Sequence, residues 1–242
     1  MVGNWMSWGL SRRGATHVRL GIPCQDAWFS CHARWGDLAV VCDGMGSCRE
    51  ARRGAQAACR AVVTAARRFA VQDGACPEDL LGRIYAQWRL FLLPFPPRDC
   101  RTTCLFALRS RGRMLFAQLG DGMLVACGNG RASPVFPDSD KDFVNITTGL
   151  GERFLPEQWQ LLSLPEAEVD AVLLTTDGLA DDIEEDMKGE FALDILAEAR
   201  MMRATSRAAW LREILDSWTA TGPSDDKTIV CLYRNEEAAD VL

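Results

Sequence analysis

Aspartate residues recur in this sequence at the points where apolar runs begin or end. Asp43-Gly44 follows the run 38–42, Asp121 follows the run 114–119, and Asp177-Gly178 follows the run 171–175. A fourth acidic turn, Asp225-Asp226, comes shortly before the last apolar run. Hard cations take oxygen ligands from Asp side chains, backbone carbonyls and water. Four acidic turns spread over one small protein therefore predict carboxylates that converge on such cations.

The chemistry that this cluster would support is hydrolysis of a phosphomonoester. That reaction needs a strong nucleophile and relief of the charge on the phosphoryl oxygens. Two divalent ions about 3.5–4 Å apart supply both, because they acidify a bridging water and clamp the substrate. Such a site needs one carboxylate shared between the ions and further carboxylates on each side.

Each acidic turn also has a purely structural interpretation. Asp43 could form a turn or cap the helix that follows it, and Asp121-Gly122 is a common two-residue hairpin turn. Asp177 and the pair Asp225-Asp226 could likewise form turns beside their strands. These interpretations are compatible with a cation site, since a metal ligand can occupy a turn.

The elements that must position these turns follow from the hydrophobic periodicity. Strands are predicted over residues 38–42, 102–108, 114–119, 123–127, 171–176 and 228–233, and helices over 49–69, 77–93, 191–200 and 206–218. Because short turns join the strands 102–108, 114–119 and 123–127, we expect an antiparallel meander there. Residues 129–168, including 143–151, are expected to form strand fragments and a surface loop. Strand and helix blocks do not alternate regularly, which favours an α+β layered fold.

Bulk composition narrows the class of protein. The chain has 242 residues, 48% of them hydrophobic and 25% charged, which is typical of a globular protein. Its net charge of -6 argues against a nucleic-acid binder. We expect a cytoplasmic protein, because the N-terminus does not resemble a signal peptide and no apolar run approaches the ~20 residues of a membrane span. Most of the ten cysteines lie in apolar runs without a Cys-x-x-Cys pair, which argues against disulfides and zinc.

Taken in order, the motifs resemble the metal-dependent PPM (PP2C-like) protein serine/threonine phosphatases. The resemblance rests on Gln25-Asp26, Asp43-Gly44-Met45-Gly46-Ser47, Arg101-Thr102-Thr103, Gly120-Asp121, Thr176-Asp177-Gly178 and Asp225-Asp226-Lys227-Thr228. Each motif is weak alone, and six in order are a strong signal. The segment from Thr16-His17 to Asp26-Ala27 looks most like the compact bacterial branch. The resemblance implies a four-layer α-β-β-α sandwich, in which two antiparallel sheets are flanked by helices, as a single domain over 1–242 with its core at about 14–234.

The resemblance also implies roles for individual residues. Asp43 would bridge two Mn²⁺ or Mg²⁺ ions, and the Gly44 carbonyl would bind the second of them. Asp177 and Asp225 would complete the shell of the first ion, and Asp121 with Asp177 could hold a weaker third ion. The metal ligands implied are Asp43, Gly44, Asp177, Asp225, Asp121 and Asp26, of which Asp26 could act through a water; the catalytic residues are Asp43, Asp177 and Asp225.

Three positions depart from the family pattern. Gln25 stands where many members carry a glutamate ligand, so one charge is lost. Met45 replaces the histidine that animal members use, as is common in bacterial members. Gly21 stands where members often have the arginine that grips the substrate phosphate, so the candidates for that role are Arg19 and Arg13, with Arg12 as a further one.

Two further polar residues have expected supporting roles. His17 could hydrogen-bond the substrate or an aspartate ligand, although a structural histidine is the preferred interpretation. Asp226 replaces a frequent asparagine, and we expect it to support a ligand rather than to bind metal.

The function that the resemblance implies is metal-dependent hydrolysis of phosphoserine and phosphothreonine on proteins. The expected partner is a phosphorylated protein, for example a Hanks-type serine/threonine kinase or its target. One alternative is a weakly active or inactive PPM-like domain that binds phosphoproteins or scaffolds a kinase. Another is a phosphatase for a small phosphoester or nucleotide that uses the same metals.

Overall fold

The structure is a computed structural model that describes residues 5–72, 74–137, 148–219 and 225–235. Its strands are β1 (Trp5–Arg12), β2 (Ala27–Ala33), β3 (Gly36–Cys42), β4 (Cys104–Ser110), β5 (Arg113–Leu119), β6 (Met123–Gly128), β7 (Arg131–Pro134), β8 (Gln160–Pro165), β9 (Ala171–Thr175) and β10 (Lys227–Arg234). Its α-helices are α1 (Ala15–Leu20), α2 (Ala51–Val71), α3 (Pro77–Leu92), α4 (Asp177–Ala180), α5 (Lys188–Met201) and α6 (Ala204–Ser217). None of the described helices is both long and apolar enough to cross a membrane.

These strands form two five-stranded antiparallel sheets that pack face to face. The first sheet has the order β1-β10-β9-β6-β7 and the second the order β2-β3-β4-β5-β8. The inner faces meet in a buried apolar layer, where Phe116 of the second sheet packs in one cluster with Leu174 and Val230 of the first. Alternation along each strand sends the remaining apolar side chains to the outer faces.

Helices cover both outer faces. The helices α2 and α3 pack on the second sheet, where the small side chains of Ala55, Ala58 and Ala65 let α2 lie close to the strands. The helices α5 and α6 cover the first sheet through residues such as Ile195 and Leu211. The predicted four-layer α-β-β-α sandwich is therefore confirmed, and the long helix α3 has the predicted N-terminus at Pro77.

The predicted meander is wrong at its third strand. β4 and β5 pair as expected, but β6 pairs with β9 and β7 in the other sheet. Asp121-Gly122 is therefore not a hairpin turn, and the chain crosses between the sheets there. Gly120 and Gly122 have φ angles of 89° and 126°, which glycine adopts readily, so the chain can change direction without pairing β6 with β5.

The sequence prediction missed the N-terminal elements. β1 pairs with β10 along its whole length, and the six-residue helix α1 and the strand β2 follow it. Within residues 129–168 the described chain forms β7 and β8, as the expected strand fragments, and part of the expected segment 143–151 lies outside the described residues. All ten cysteines are free, and Cys42, Cys104 and Cys231 are buried as predicted.

Candidate metal centre

Three of the four acidic turns meet at one end of the sandwich. In the second sheet Cys42, the last residue of β3, pairs with Ala27, the first residue of β2, so Asp43 and Asp26 leave this sheet side by side. In the first sheet β9 ends beside the start of β10, with Thr175 opposite Ile229. Asp177 follows β9 and Asp225 precedes β10, so both lie at the same end of the first sheet.

Asp26 ties the two sheets together at this end. Its Oδ2 atom accepts hydrogen bonds from the Thr176 hydroxyl at 2.8 Å and the Thr228 hydroxyl at 2.6 Å. The side chain is buried, and its Oδ1 atom has no hydrogen-bond donor among the described residues. The two hydroxyls therefore orient this carboxylate, and its Oδ1 atom is left available as a metal ligand.

Asp226 is buried and joins distant segments of backbone. Its two oxygens accept from the backbone N–H groups of Gly14, at 2.8 Å, and Gln25, at 2.6 Å. The Nδ1 atom of His17 lies 2.9 Å from Asp226 Oδ2 and 3.9 Å from Asp225 Oδ1, so this histidine is placed beside both aspartates. The backbone N–H of Asp226 donates to Asp225 Oδ1 at 2.7 Å, so Asp226 also positions that carboxylate.

The backbone of Asp43 is fixed by the segment before β4. Its N–H donates to the Thr103 hydroxyl at 2.9 Å, and its carbonyl accepts from the Thr103 N–H and the Thr102 hydroxyl at 2.8 and 2.7 Å. The helix α2 begins only at Ala51, so the Asp43 side chain does not cap it. The buried Gly44 follows, paired in a β-bridge with Thr102.

The carboxylates repel one another in a poorly solvated site. Burial, and then the charge of Asp26, raise the pKa of Asp43 well above its usual range. Burial, followed by the charges of Asp43 and Asp225, raises the pKa of Asp177 to about 8. Burial likewise raises the pKa of Asp26 to about 7, although its hydrogen bonds oppose that rise. A bound cation would relieve the repulsion that these shifts express.

Unsatisfied acceptor atoms show that the residues present fit a metal. Gln25 Oε1, Asp26 Oδ1 and Asp177 Oδ1 are buried and have no hydrogen-bond donor within the described chain. Buried hydrogen-bond acceptors are normally paired with a donor. Three such oxygens without a donor therefore favour the binding of a cation. Each of these three atoms is an oxygen that could act as a hard metal ligand, which suits Mg²⁺ or Mn²⁺.

Two further aspartates lie at this end of the sandwich. Asp121 lies on the connection between β5 and β6, next to Gly122, whose position approaches the Thr175 carbonyl at the end of β9. Its role as a ligand of a third ion remains a prediction. Asp181, which no sequence motif indicated, also raises the pKa of Asp177 by its charge. Its position four residues after Asp177, one helical turn away, is the signal that could have identified it.

The candidate phosphate-binding arginines lie on the chain before β2. Arg19 and Arg13 are exposed, and Arg13 donates to the Ile22 carbonyl at 3.3 Å. Arg12 is held instead by Asp216 in a two-pronged ion pair of 2.6 and 2.9 Å. Because two nitrogens of Arg12 donate to Asp216, Arg13 and Arg19 remain the candidates for binding the substrate phosphate.

The remaining departures from the family pattern are explained locally. Gly21 ends α1 with a φ angle of 68°, a left-handed conformation that disfavours an arginine at this position. Met45 is buried, and its methyl group lies against Gly149. A thioether has no proton to give, so Met45 cannot act as a proton donor and instead packs with Cys48 and Ala51.

Comparison with known proteins identifies the family. A family model described as protein phosphatase 2C matches residues 13–216, which is more than half of the chain. No protein with a curated description matches the sequence.

Several solved structures share the fold. A bacterial serine phosphatase aligns with 18% identity and a TM-score of 0.61, over 95% of this chain and 97% of its own. The catalytic domain of the phosphatase PstP, in complex with two manganese ions, aligns with 18% identity and a TM-score of 0.63 over 95% and 97%. Stp1 from Staphylococcus aureus aligns with 15% identity and a TM-score of 0.63 over 97% of both chains. These solved structures share the fold, and the matching family model shows that the chain belongs to the protein phosphatase 2C family and is a protein serine/threonine phosphatase.

Proposed function

We propose that the carboxylate cluster performs metal-dependent hydrolysis of phosphoserine and phosphothreonine with two Mn²⁺ or Mg²⁺ ions. The observation that carries this proposal is the group of buried, unpartnered acceptors Gln25 Oε1, Asp26 Oδ1 and Asp177 Oδ1 beside Asp43. A pair of divalent ions at such a site supplies an activated water and neutralises phosphoryl charge. The manganese ions of PstP, a protein of similar fold, support the choice of metal.

The residues that would hold the ions sit on both sheets. Asp43 and the Gly44 carbonyl would contribute from the end of β3, and Asp177 and Asp225 from the first sheet. Asp26 would contribute the oxygen that its two threonine partners leave without a donor. Asp121 is the candidate for a third, weaker ion.

The supporting residues keep these oxygens in place before any ion arrives. Asp226 fixes the backbone at Gln25 and orients Asp225, and the Thr102 and Thr103 hydroxyls fix the backbone of Asp43. Pre-positioned ligands lose little freedom on binding, so the site is ready to orient both water and substrate.

Substrate binding is proposed to involve the exposed arginines Arg13 and Arg19. A guanidinium can bind two phosphate oxygens at once, which orients the phosphoryl group. The substrate would be a phosphorylated protein, with a serine/threonine kinase or its target as a candidate partner. The inactive-module alternative is less well supported, because a binding module has no need of buried carboxylates that repel one another.

The test is phosphate release from a phosphothreonine peptide with Mn²⁺, with Mg²⁺ and with EDTA. We expect release with either metal, none with EDTA, and none from Asp43→Asn, which removes one ligand charge with almost no change of shape. Asp194→Asn, on the exposed face of α5, is the matched control and should retain full activity. Full turnover by a folded Asp43→Asn protein would contradict the ligand assignment.

A further inference from the structure

A cavity of about 580 Å³ lies at the far end of the first sheet, between the turn that joins α5 to α6 and the end of β10. Four of its lining residues are arginines: Arg200, Arg203, Arg207 and Arg234. None of the described residues that line it is acidic. The cavity is therefore strongly cationic in a protein whose net charge is -6.

One arginine builds the wall of this arginine-lined cavity. Arg207 donates to the carbonyls of Ala199 and Met202 and to the Tyr233 hydroxyl, at 2.8, 3.2 and 2.8 Å. These bonds lock the turn between α5 and α6 onto β10. The cavity is thus preformed rather than dependent on a loop that must close.

Two other arginines have unused hydrogen-bonding capacity. The side chains of Arg200 and Arg203 are exposed, and neither forms a hydrogen bond or ion pair with a described residue. Each guanidinium has five N–H donors in a fork that matches phosphate oxygens. Like charges that line one cavity repel one another, so an anion bound between Arg200 and Arg203 would relieve an unfavourable interaction.

The N-terminus of α6 adds to the positive potential of the cavity. Arg203 precedes the helix and Ala204 begins it, and the first turn contains no acidic side chain and no side-chain cap. The free N–H groups of a helix start favour an anion. This contribution supplements the arginines and would not define a site without them.

Part of the cavity lining is apolar. Met6 and Met202 line the cavity, and the Tyr233 hydroxyl donates to the Met6 sulfur at 3.8 Å. Thioethers pack favourably against the edges and faces of planar rings. A volume of this size lies within the range that holds small organic ligands.

The cavity is separate from the carboxylate cluster. β10 begins at Lys227, beside that cluster, and ends at Arg234 in the cavity wall. Eight residues in a strand span about 23 Å at ~3.3 Å per residue. A ligand of mononucleotide size in the cavity could not reach the acidic site.

We propose that this cavity binds a small organic phosphate of mononucleotide size. Arg200 and Arg203 would bind the phosphoryl group, and Met6 and Met202 would contact the planar, less polar part. The proposal goes beyond phosphatase activity and does not rest on it, because it concerns binding at a separate site.

The test is calorimetric titration of the full chain with AMP in EDTA, so that the carboxylate cluster holds no metal and repels the phosphate. We expect saturable binding that the double variant Arg200→Ala/Arg203→Ala weakens by at least about tenfold, because charge-assisted hydrogen bonds are lost. Arg212→Ala removes the same charge from an exposed position of α6 outside the cavity and should leave the affinity unchanged.

Three results would overturn the proposal. The first is AMP binding that the double variant does not weaken. The second is that inorganic phosphate binds as tightly as AMP, which would exclude a role for the apolar side chains of Met6 and Met202. The third is the absence of AMP binding both in the full chain and in Glu236→Gln/Glu237→Gln, a variant that removes two acidic groups following Asn235 in the sequence. Phosphate release by the double variant should stay normal, so the two proposals fail separately.

Discussion

The two ends of β10 carry opposite charges and are built in opposite ways. At its start, Asp26, Asp43 and Asp177 are largely removed from water, and burial is the main cause that raises the pKa of each. At its end, Arg200 and Arg203 remain exposed to solvent. Burying repelling carboxylates costs stability, whereas an exposed guanidinium costs little. The acidic end therefore makes the stronger case for a bound ligand, since a cation bound in place of protons compensates that cost.

The two ends also differ in how tightly the backbone is packed. At the acidic end Gly178 lies directly against the carbonyl of Asp226, with no space for a side chain. At the arginine end a cavity separates the elements. The acidic site should therefore be sensitive to very small substitutions, and the arginine-lined cavity should tolerate them.

Among the tests of this comparison, the largest effect is expected from Gly178→Ala. An added methyl group would overlap the Asp226 carbonyl and push Asp177 away from Asp225. Because displacements of about 1 Å at a reacting centre can cost ~10²-fold in rate, we expect phosphate release to fall more than tenfold. The measurement is phosphate release with Mn²⁺, together with circular dichroism to confirm folding.

Gly82→Ala is the matched control for that substitution. Gly82 lies within α3, where an added methyl group would make only an ordinary contact with the Phe154 ring at 3.8 Å. Its activity should be unchanged. Wild-type turnover in Gly178→Ala would show that close backbone packing does not position the acidic site.

A change of pH in the absence of metal is expected to have an intermediate effect, which is on the stability of the fold. Folding raises the pKa of Asp26 to about 7 and of Asp177 to about 8, from an ordinary value of 3.8. The stability that these acids contribute is present below about pH 4 and is lost as pH rises through 7 and 8. In EDTA the melting temperature should therefore fall as pH rises toward 9.

Thermal unfolding of wild type and Asp177→Asn in EDTA measures this effect. The variant should show a weaker decrease with pH, because an amide does not ionise. Added Mn²⁺ should raise the wild-type melting temperature most at high pH, where cations do not compete with protons. Equal pH profiles for the two proteins would contradict the repulsion inferred between the carboxylates.

The smallest expected effect is that of Gln25→Glu. Its buried Oε1 atom has no donor among the described residues, so a carboxylate there adds a ligand charge to the acidic end. We expect Mn²⁺ affinity to rise by about tenfold or less, since ligand charge tunes affinity. Calorimetric titration with Mn²⁺ measures it, and Gln56→Glu, on the exposed face of α2, should have no effect. An unchanged affinity in Gln25→Glu would place Gln25 outside the metal shell.

Local sequence patterns were sufficient to predict the helices and strands whose apolar residues recur with a strong periodicity. The apolar spacing and Pro77 predicted α3, and the short buried runs predicted β3 and β9. N-terminal elements were missed because β1 is only partly buried and lacks strict alternation, and because α1 has no buried residue. Their existence depends on partners distant in the sequence, such as β10 for β1.

The sequence by itself determined which residues are available for chemistry, since carboxylates next to glycine at strand ends are visible without coordinates. Tertiary structure alone decided their surroundings. It placed β6 in the other sheet, and it brought the backbone of Gly14 and Gln25 to Asp226, more than 200 residues away. It also brought Arg12 into an ion pair with Asp216. The physical reason is that residue type and local spacing govern turns and periodicity, whereas burial and charge repulsion depend on which distant segments the packed sheets bring together.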